Sequence, residues 1–87
     1  MFDSKKEALR YQELKLLEAG GIIKALALQV DFPIIINDHK ICSWKADFVY
    51  IEDGKRVVED TKGFKNRVYK LKKKLVEVVY GIKIKET

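Results

Sequence analysis

The sequence has 87 residues, enough for one domain, and its 47% hydrophobic and 10% aromatic content excludes an intrinsically disordered chain. Its 18 Lys and Arg residues outnumber its 13 Asp and Glu residues, so the net charge is +5. A basic balance indicates an anionic partner, nucleic acid above all. Because so short a chain builds only a small core, we expect a homodimer to complete the burial.

The cysteine content and the N-terminus predict a cytoplasmic protein. Cys42 is the only cysteine, so it cannot form an internal disulfide, and it fits a reducing compartment. The first four residues lack the basic lead and apolar run of a signal peptide. The longest apolar stretches are too short to span a bilayer, so no membrane partner is expected.

The first predicted element is a helix over residues 3–19. Asp3 or Ser4 can cap it, and Glu7 follows Ser4 at the spacing of a capping box. Glu7 also lies on or beside the apolar face of the helix, so its carboxylate can serve the cap, a functional site, or both. The apolar face is formed by Tyr11, Leu14 and Leu17, with Leu9 and Leu16 at its flanks.

A strand is predicted over residues 25–32, where apolar and polar side chains alternate. Pro33 cannot donate to a ladder, so it marks an edge, a bulge or a break, beyond which residues 34–36 can continue the strand. Gln29 can orient a water molecule or contact a phosphate, and a solvated strand glutamine is the structural alternative. A turn at residues 37–40 follows.

The next strand covers residues 41–52 and is apolar on both faces, which is typical of an interior strand in a covered sheet. Asp47 interrupts it between Ala46 and Phe48. Buried carboxylates are rare unless they are paired or bind a metal. We interpret Asp47 as a functional residue, and a buried Asp–Lys pair is the alternative. Alternation places on one face the side chains of Trp44, Ala46, Phe48 and Tyr50.

The Asp-Gly pair at positions 53–54 predicts a tight hairpin turn into a third strand. Near the end of this strand, Asp60 and Lys62 project to one side and Thr61 to the other. The hairpin can bring Asp60 close to Asp47. Two carboxylates can hold a divalent cation, and a lysine can steady a water nucleophile or a phosphate. Metal-dependent cleavage of a phosphodiester needs this combination.

A second helix is predicted from residue 66 to about residue 80, and a short strand over 82–85 follows it. Its expected core stripe consists of Val68, Leu71, Leu75 and Val79. Basic side chains near the third strand can bind the phosphates beside a cut. The predicted nucleic-acid contacts are Arg10, Gln29, Lys45, Lys65, Arg67 and Lys70.

The predicted order is therefore helix, strand, strand, strand, helix, strand: an α/β chain of mixed α+β type, with two helices flanking a mixed sheet. With Glu in the first helix, Asp in the second strand and Asp-x-Lys in the third, this order resembles the PD-(D/E)xK nuclease superfamily, which includes restriction endonucleases and Holliday-junction resolvases. Segments 4–8, 46–50 and 58–63 are most similar to small phage-encoded proteins placed in that superfamily. The resemblance covers nearly the whole chain and implies a single restriction-endonuclease-like domain in the host cytoplasm.

The resemblance also implies a set of site residues. Asp47 and Asp60 would bind Mg²⁺ or Mn²⁺ directly, together with the backbone carbonyl of Thr61. Glu7 would complete the metal site, directly or through water. Lys62 would position or activate the attacking water. These oxygen ligands are also the ones that a hard divalent cation prefers.

Two positions depart from the family pattern or leave it ambiguous. Ala46 replaces the proline that often precedes the aspartate in the family. The acid of the third strand can be Glu59 or Asp60, and both the spacing to Lys62 and the strand alternation favour Asp60. In that case Glu59 points away, unless a bulge shifts the register.

These residues predict a metal-dependent, structure-selective endodeoxyribonuclease that acts on branched or duplex DNA, with a phage Holliday-junction resolvase as the specific expectation. So short a chain has no room for a sequence-reading domain, so we expect it to recognise backbone or shape. Two sites in a symmetric dimer can cut two strands of a junction. A nickase or an exonuclease is an alternative, and so is a non-catalytic nucleic-acid-binding or partner-binding module with the same fold.

Overall fold

The computed structural model describes residues 5–61 and 66–87, which form an α+β fold. The elements are α1 (Lys5–Ala19), β1 (Ile23–Ile36), β2 (His39–Glu52), β3 (Lys55–Asp60), α2 (Arg67–Tyr80) and β4 (Ile84–Glu86). The strands lie in the order β1-β2-β3-β4, antiparallel from β1 to β3 and parallel between β3 and β4. The predicted αβββαβ order and mixed sheet are confirmed. Neither of the two described helices has the length and apolar character needed to cross a bilayer.

Two-residue turns join the three antiparallel strands. Asn37 and Asp38 connect β1 to β2, Asp53 and Gly54 connect β2 to β3, and all four residues have positive φ angles between 51° and 74°. A type I′ hairpin turn requires positive φ at both central residues, and Asn, Asp and Gly tolerate it best. The predicted Asp-Gly hairpin is confirmed, and its register pairs Phe48, which follows Asp47, with Glu59 near the C-terminal end of β3.

Two hydrophobic clusters lie on opposite faces of the sheet, since neighbouring residues Val57 and Val58 of β3 belong to different clusters. The α1 cluster contains Leu14, Ile23, Phe48 and Tyr50, with Tyr11 and Leu17 packed against it. The α2 cluster contains Phe32, Ile34, Trp44, Ala46, Val49, Val58, Val76 and Ile84. The predicted apolar face of α1 is therefore the face that packs on the sheet.

Strands β1 and β2 form a long two-stranded ribbon, and the side chains that alternation assigns to one face of β2 do not all pack in the same hydrophobic cluster. Trp44 and Ala46 pack in the α2 cluster, whereas Phe48 and Tyr50 pack in the α1 cluster. The prediction that these four side chains share one face is therefore wrong. The change falls at Asp47, where simple strand alternation is interrupted.

The same ribbon folds back over the α2 side of the sheet. The guanidinium carbon of Arg56 lies 5.0 Å from the centre of the Phe32 ring. Phe32 pairs with Trp44 and Arg56 pairs with Ile51, and in a straight strand those two β2 partners would be about 23 Å apart. Only a bend between them brings the two side chains together.

Helix α2 packs through a face that matches the predicted stripe only in part. Asn66 caps its N-terminus and Gly81, with a φ of 64°, ends it. Val76 is buried and Leu75 packs against the α2 cluster. Val68 and Leu71 are each 61% exposed, so only part of the predicted stripe faces the sheet. Tyrosines define the packed face because each combines a large apolar ring with a hydroxyl that reaches a partner. Tyr80 packs edge-on against Phe32 and donates to the Pro33 carbonyl at 2.7 Å, and Tyr69 likewise turns toward the sheet.

Two leucines of α1 provide a matched test of this packing. Leu14 is fully buried, whereas Leu16 is 74% exposed. We expect Leu14→Ala to lower the free energy of unfolding by about 2–5 kcal/mol, because it removes buried methyl groups and leaves a cavity. Leu16→Ala should change it by less than about 0.5 kcal/mol. Urea unfolding followed by circular dichroism measures both, and equal losses would contradict the assigned face of α1.

Candidate functional site

The carboxylate of Asp47 is buried at the bend of the ribbon and is bound by the residue that follows β3. Its Oδ2 accepts hydrogen bonds from the backbone N–H of Thr61 at 2.8 Å and from the Thr61 hydroxyl at 3.0 Å. Both residues are buried. The predicted proximity between the Asp47 region of β2 and the end of β3 therefore rests on direct contacts.

Glu7 of α1 reaches the same place through Gln29 of β1. The Gln29 Nε2 atom donates to Glu7 Oε2 at 2.8 Å and lies 3.5 Å from Asp47 Oδ1. Gln29 has a φ of 52°, an uncommon backbone conformation for a residue other than glycine. Glu7 is buried although it stands in the first turn of α1. Ser4, the possible capping partner of Glu7, lies outside the described residues, so the predicted cap stays a prediction. The contact that the structure shows for Glu7 is the hydrogen bond from Gln29.

Asp60 is buried on the α2 side of β3. Its Oδ2 accepts a hydrogen bond from the hydroxyl of Tyr69, which also lies 3.3 Å from Glu86 Oε2. Burial and the hydrogen bond to Asp60 raise the pKa of Tyr69 far above its ordinary value, so the hydroxyl stays protonated and acts as a donor. Sequence reasoning missed Tyr69. The available signal was an aromatic residue on the lysine-rich side of a helix that directly follows the third strand.

Glu59 points to the opposite face and belongs to a structural ion pair. Arg10 Nε donates to Glu59 Oε1 at 2.8 Å, Arg10 Nη2 donates to Oε2 at 2.7 Å, and the Tyr50 hydroxyl also donates to Oε2. Burial raises the pKa of Glu59, but the hydrogen bonds from Arg10 and Tyr50 outweigh it and hold the pKa below its ordinary value. Asp60, not Glu59, is therefore the acid of β3 on the face toward α2.

Arg10 was predicted to contact nucleic acid, and the structure gives it a different role. Its guanidinium forms the two-point contact with Glu59, and this hydrogen bond raises the pKa of Arg10 above its ordinary value. Only 19% of the side chain is exposed. Its charge is used inside the protein, so the prediction for Arg10 is corrected to a structural one.

The other predicted nucleic-acid contacts divide into two groups. Lys45, Arg67 and Lys70 are exposed, and Lys45 Nζ lies 4.0 Å from the exposed Asp31 carboxylate. Lys65 lies outside the described residues, as does Lys62, the predicted lysine of the catalytic site. Contacts of these five residues and of Gln29 with a substrate stay predictions.

The described residues match a divalent cation in ligand type but do not form a closed ligand set. Glu7 and Asp47 present carboxylate oxygens to one amide nitrogen, and Asp60 adjoins Thr61, which binds Asp47. Carboxylate and carbonyl oxygens are the ligands that Mg²⁺ prefers. However, no three His, Cys, Asp or Glu side chains within residues 5–61 and 66–87 are grouped as metal ligands.

Residues 1–86 match a protein family described as "Protein of unknown function (DUF1064)", and the chain belongs to this family. No curated protein and no solved structure matches the sequence.

The Arg10–Glu59 pair gives a prediction for stability. We expect Arg10→Ala to lower the free energy of unfolding at pH 7 by about 3–5 kcal/mol, because it leaves the buried Glu59 carboxylate without its cation. Arg67→Ala removes an exposed arginine and should cost less than about 0.5 kcal/mol. Urea titration of both variants measures the difference, and equal effects would show that the pair contributes nothing.

The pH dependence distinguishes loss of the ion pair from loss of packing. In the wild type, Glu59 has a lowered pKa, so its contribution is present above the unfolded-state pKa of about 4.3 and is lost as pH falls below it. Without Arg10, burial raises the Glu59 pKa, and protonation then favours the folded state. The deficit of Arg10→Ala should therefore shrink as pH falls from 7 toward 4.5, whereas a pure packing loss would stay constant.

Proposed function

We propose that this protein is a metal-dependent, structure-selective endodeoxyribonuclease that hydrolyses DNA phosphodiester bonds. The observation that carries the proposal is that two buried acids from different elements, Glu7 of α1 and Asp47 of β2, approach one amide group. Glu7 and Asp47 face the amide of Gln29, and Asp60 lies next to Thr61, which binds Asp47. Gathering like charges in a protein interior is costly, and a bound cation offsets that cost.

In this proposal Asp47, Asp60, Glu7 and the carbonyl of Thr61 hold Mg²⁺ or Mn²⁺. When bound, the ion polarises the phosphate and generates the hydroxide nucleophile. Gln29 keeps the first-helix and second-strand carboxylates facing one another, and the neutral Tyr69 keeps one oxygen of Asp60 in place.

Lys62, by its position two residues after Asp60, supplies the positive charge that stabilises the more negative transition state. Exposed Lys45, Arg67 and Lys70, together with the net charge of +5, favour contact with phosphates over reading of bases. A homodimer with two such sites would suit paired cuts in a branched substrate, as in a phage Holliday-junction resolvase acting in the host cytoplasm.

A second candidate function is a non-catalytic nucleic-acid-binding or partner-binding module with the same fold. It is favoured by the lack of a closed group of three metal-binding side chains among the described residues. Under this alternative, Gln29 and Tyr69 would be the permanent partners of Glu7 and Asp60, and no cation would enter.

The deciding experiment incubates the protein with four-way-junction, duplex and single-stranded DNA in Mg²⁺, Mn²⁺ or EDTA. We expect cleavage with either metal and none in EDTA, and paired symmetric nicks confined to the junction would identify a resolvase. Binding that needs no metal and leads to no cut would select the module. Thermal unfolding adds a readout independent of activity, because Mn²⁺ at 100 times its Kd should stabilise the fold by about 2.7 kcal/mol.

Amide substitutions test the assigned acids while preserving their shape. We expect Glu7→Gln, Asp47→Asn and Asp60→Asn each to lower the cleavage rate by about 100-fold or more, because each removes several kcal/mol of charge stabilisation. Binding to DNA in EDTA should change by less than about threefold. The controls Glu13→Gln, in the same helix as Glu7, and Asp31→Asn, in the neighbouring strand β1, neutralise exposed acids and should cut at the wild-type rate. Full activity of Asp47→Asn or Asp60→Asn would refute the site assignment.

A further inference from the structure

A cleft of about 290 Å³ lies between β2 and the N-terminal half of α2. Its walls include Ser43, Trp44 and Lys45 of β2, and Asn66, Tyr69 and Lys72 from the cap and first turns of α2. Tyr69 is shared with the candidate site, because its hydroxyl donates to Asp60. A ligand in this cleft would therefore contact the residue that binds Asp60.

The described residues that line this cleft carry positive charge without a carboxylate. Lys45 and Lys72 both line it, and none of the other described lining residues is acidic. Among the described residues Lys72 has no ion pair, and the contact of Lys45 with Asp31, at 4.0 Å between exposed groups, is too weak to neutralise it.

Neighbouring cavities differ in this respect. The cavity between α1 and the end of β3 includes Glu13. The cavity on the other side of α2 includes Glu77 and Glu86, and there Lys73 lies 3.4 Å from Glu86. The described lining of the β2–α2 cleft thus differs from those of these two cavities in having no acidic residue. This difference indicates that the cleft binds an anion.

The N-terminus of α2 adds to the positive electrostatic potential in the cleft. Asn66 is the N-cap of this 14-residue helix, and its side-chain oxygen accepts from the Tyr69 N–H at 2.8 Å. Because Asn66 lies in the cleft wall, the positive end of the helix dipole is at the cleft. The apolar faces of Trp44 and Val68 complete a lining that suits the alternating charged phosphates and uncharged sugars of a nucleic-acid strand.

We propose that the β2–α2 cleft binds the phosphodiester backbone of a DNA strand next to the bond that is cut, with Lys45 and Lys72 as its phosphate contacts. Only the position relative to a cut rests on the proposed nuclease function, because binding in the cleft needs no metal. The cleft lies on one side of Asp60, so it holds the strand on one side of the reacting phosphate.

The test measures binding of a fluorescent four-way junction in EDTA over a range of salt concentrations. Lys72→Gln and Lys45→Gln should each weaken binding about threefold to tenfold and reduce the slope of log K against log salt by about 0.9, the loss of one phosphate contact. The matched control is Lys55→Gln, an exposed lysine paired with Glu52 at the opposite end of β3 from Asp60. It removes the same charge but should leave the slope unchanged.

The outcomes separate this inference from the nuclease proposal. If both cleft variants behave like Lys55→Gln, or if the wild-type protein does not bind the junction, the cleft assignment is overturned. If the wild type cleaves DNA in Mg²⁺ and the cleft variants bind as tightly as the wild type, the nuclease proposal is supported and the cleft proposal is refuted. Cleft-dependent binding without cleavage in any metal would support the cleft as a DNA site and refute the nuclease. Far-ultraviolet circular dichroism verifies that the variants are folded.

Discussion

Two hydrogen bonds from Thr61 to the buried carboxylate of Asp47 hold the end of β3 against the middle of β2, and the candidate site depends on this contact. A buried carboxylate is tolerated only where donors replace the water it has lost. Thr61 supplies a backbone and a side-chain donor, and Gln29 approaches the other oxygen. The contact also lies where the β1–β2 ribbon bends, so the same few residues set both the shape of the ribbon and the position of the acids.

The neighbouring acids of β3 point to opposite faces of the sheet and bind different partners. Glu59 anchors α1 through Arg10, while Asp60 faces α2 through Tyr69. Glu7 stands three residues before Arg10, so the two side chains project from the same side of α1. The ion pair that fixes the helix therefore also fixes the helical turn that presents Glu7. In this way a structural interaction at one face sets the geometry of the candidate site.

Local rules made the element order, both hairpin turns and the burial of Asp47 predictable from the sequence. These rules concern turn residues with positive φ, glycines that end helices, and the alternation of side chains in strands. Each acts over a few neighbouring residues, so it can be recognised in the sequence alone. The packed face of α2 was predictable only in part, because Tyr80 finds its acceptor 47 residues away at Pro33. Arg10 was misread for the same reason, since Glu59 is 49 residues distant. Such partners are set by the packing of the helices on the sheet, which acts between residues far apart in the sequence.

Strand β1 forms one border of the sheet, so one side of its backbone faces away from β2. Left-handed backbone at Ala25 and Gln29, and a missing N–H at Pro33, interrupt that border every fourth residue. The stretches that remain, 26–28, 30–32 and 34–36, are three residues each, and the pairing with β2 shifts register again between Ile34 and Ile35. A strand from another copy could pair with no more than three consecutive residues of β1, so this edge strand disfavours the edge-to-edge pairing that leads to fibres. Any symmetric pairing of two copies must then use side chains instead of a continuous intermolecular sheet along β1.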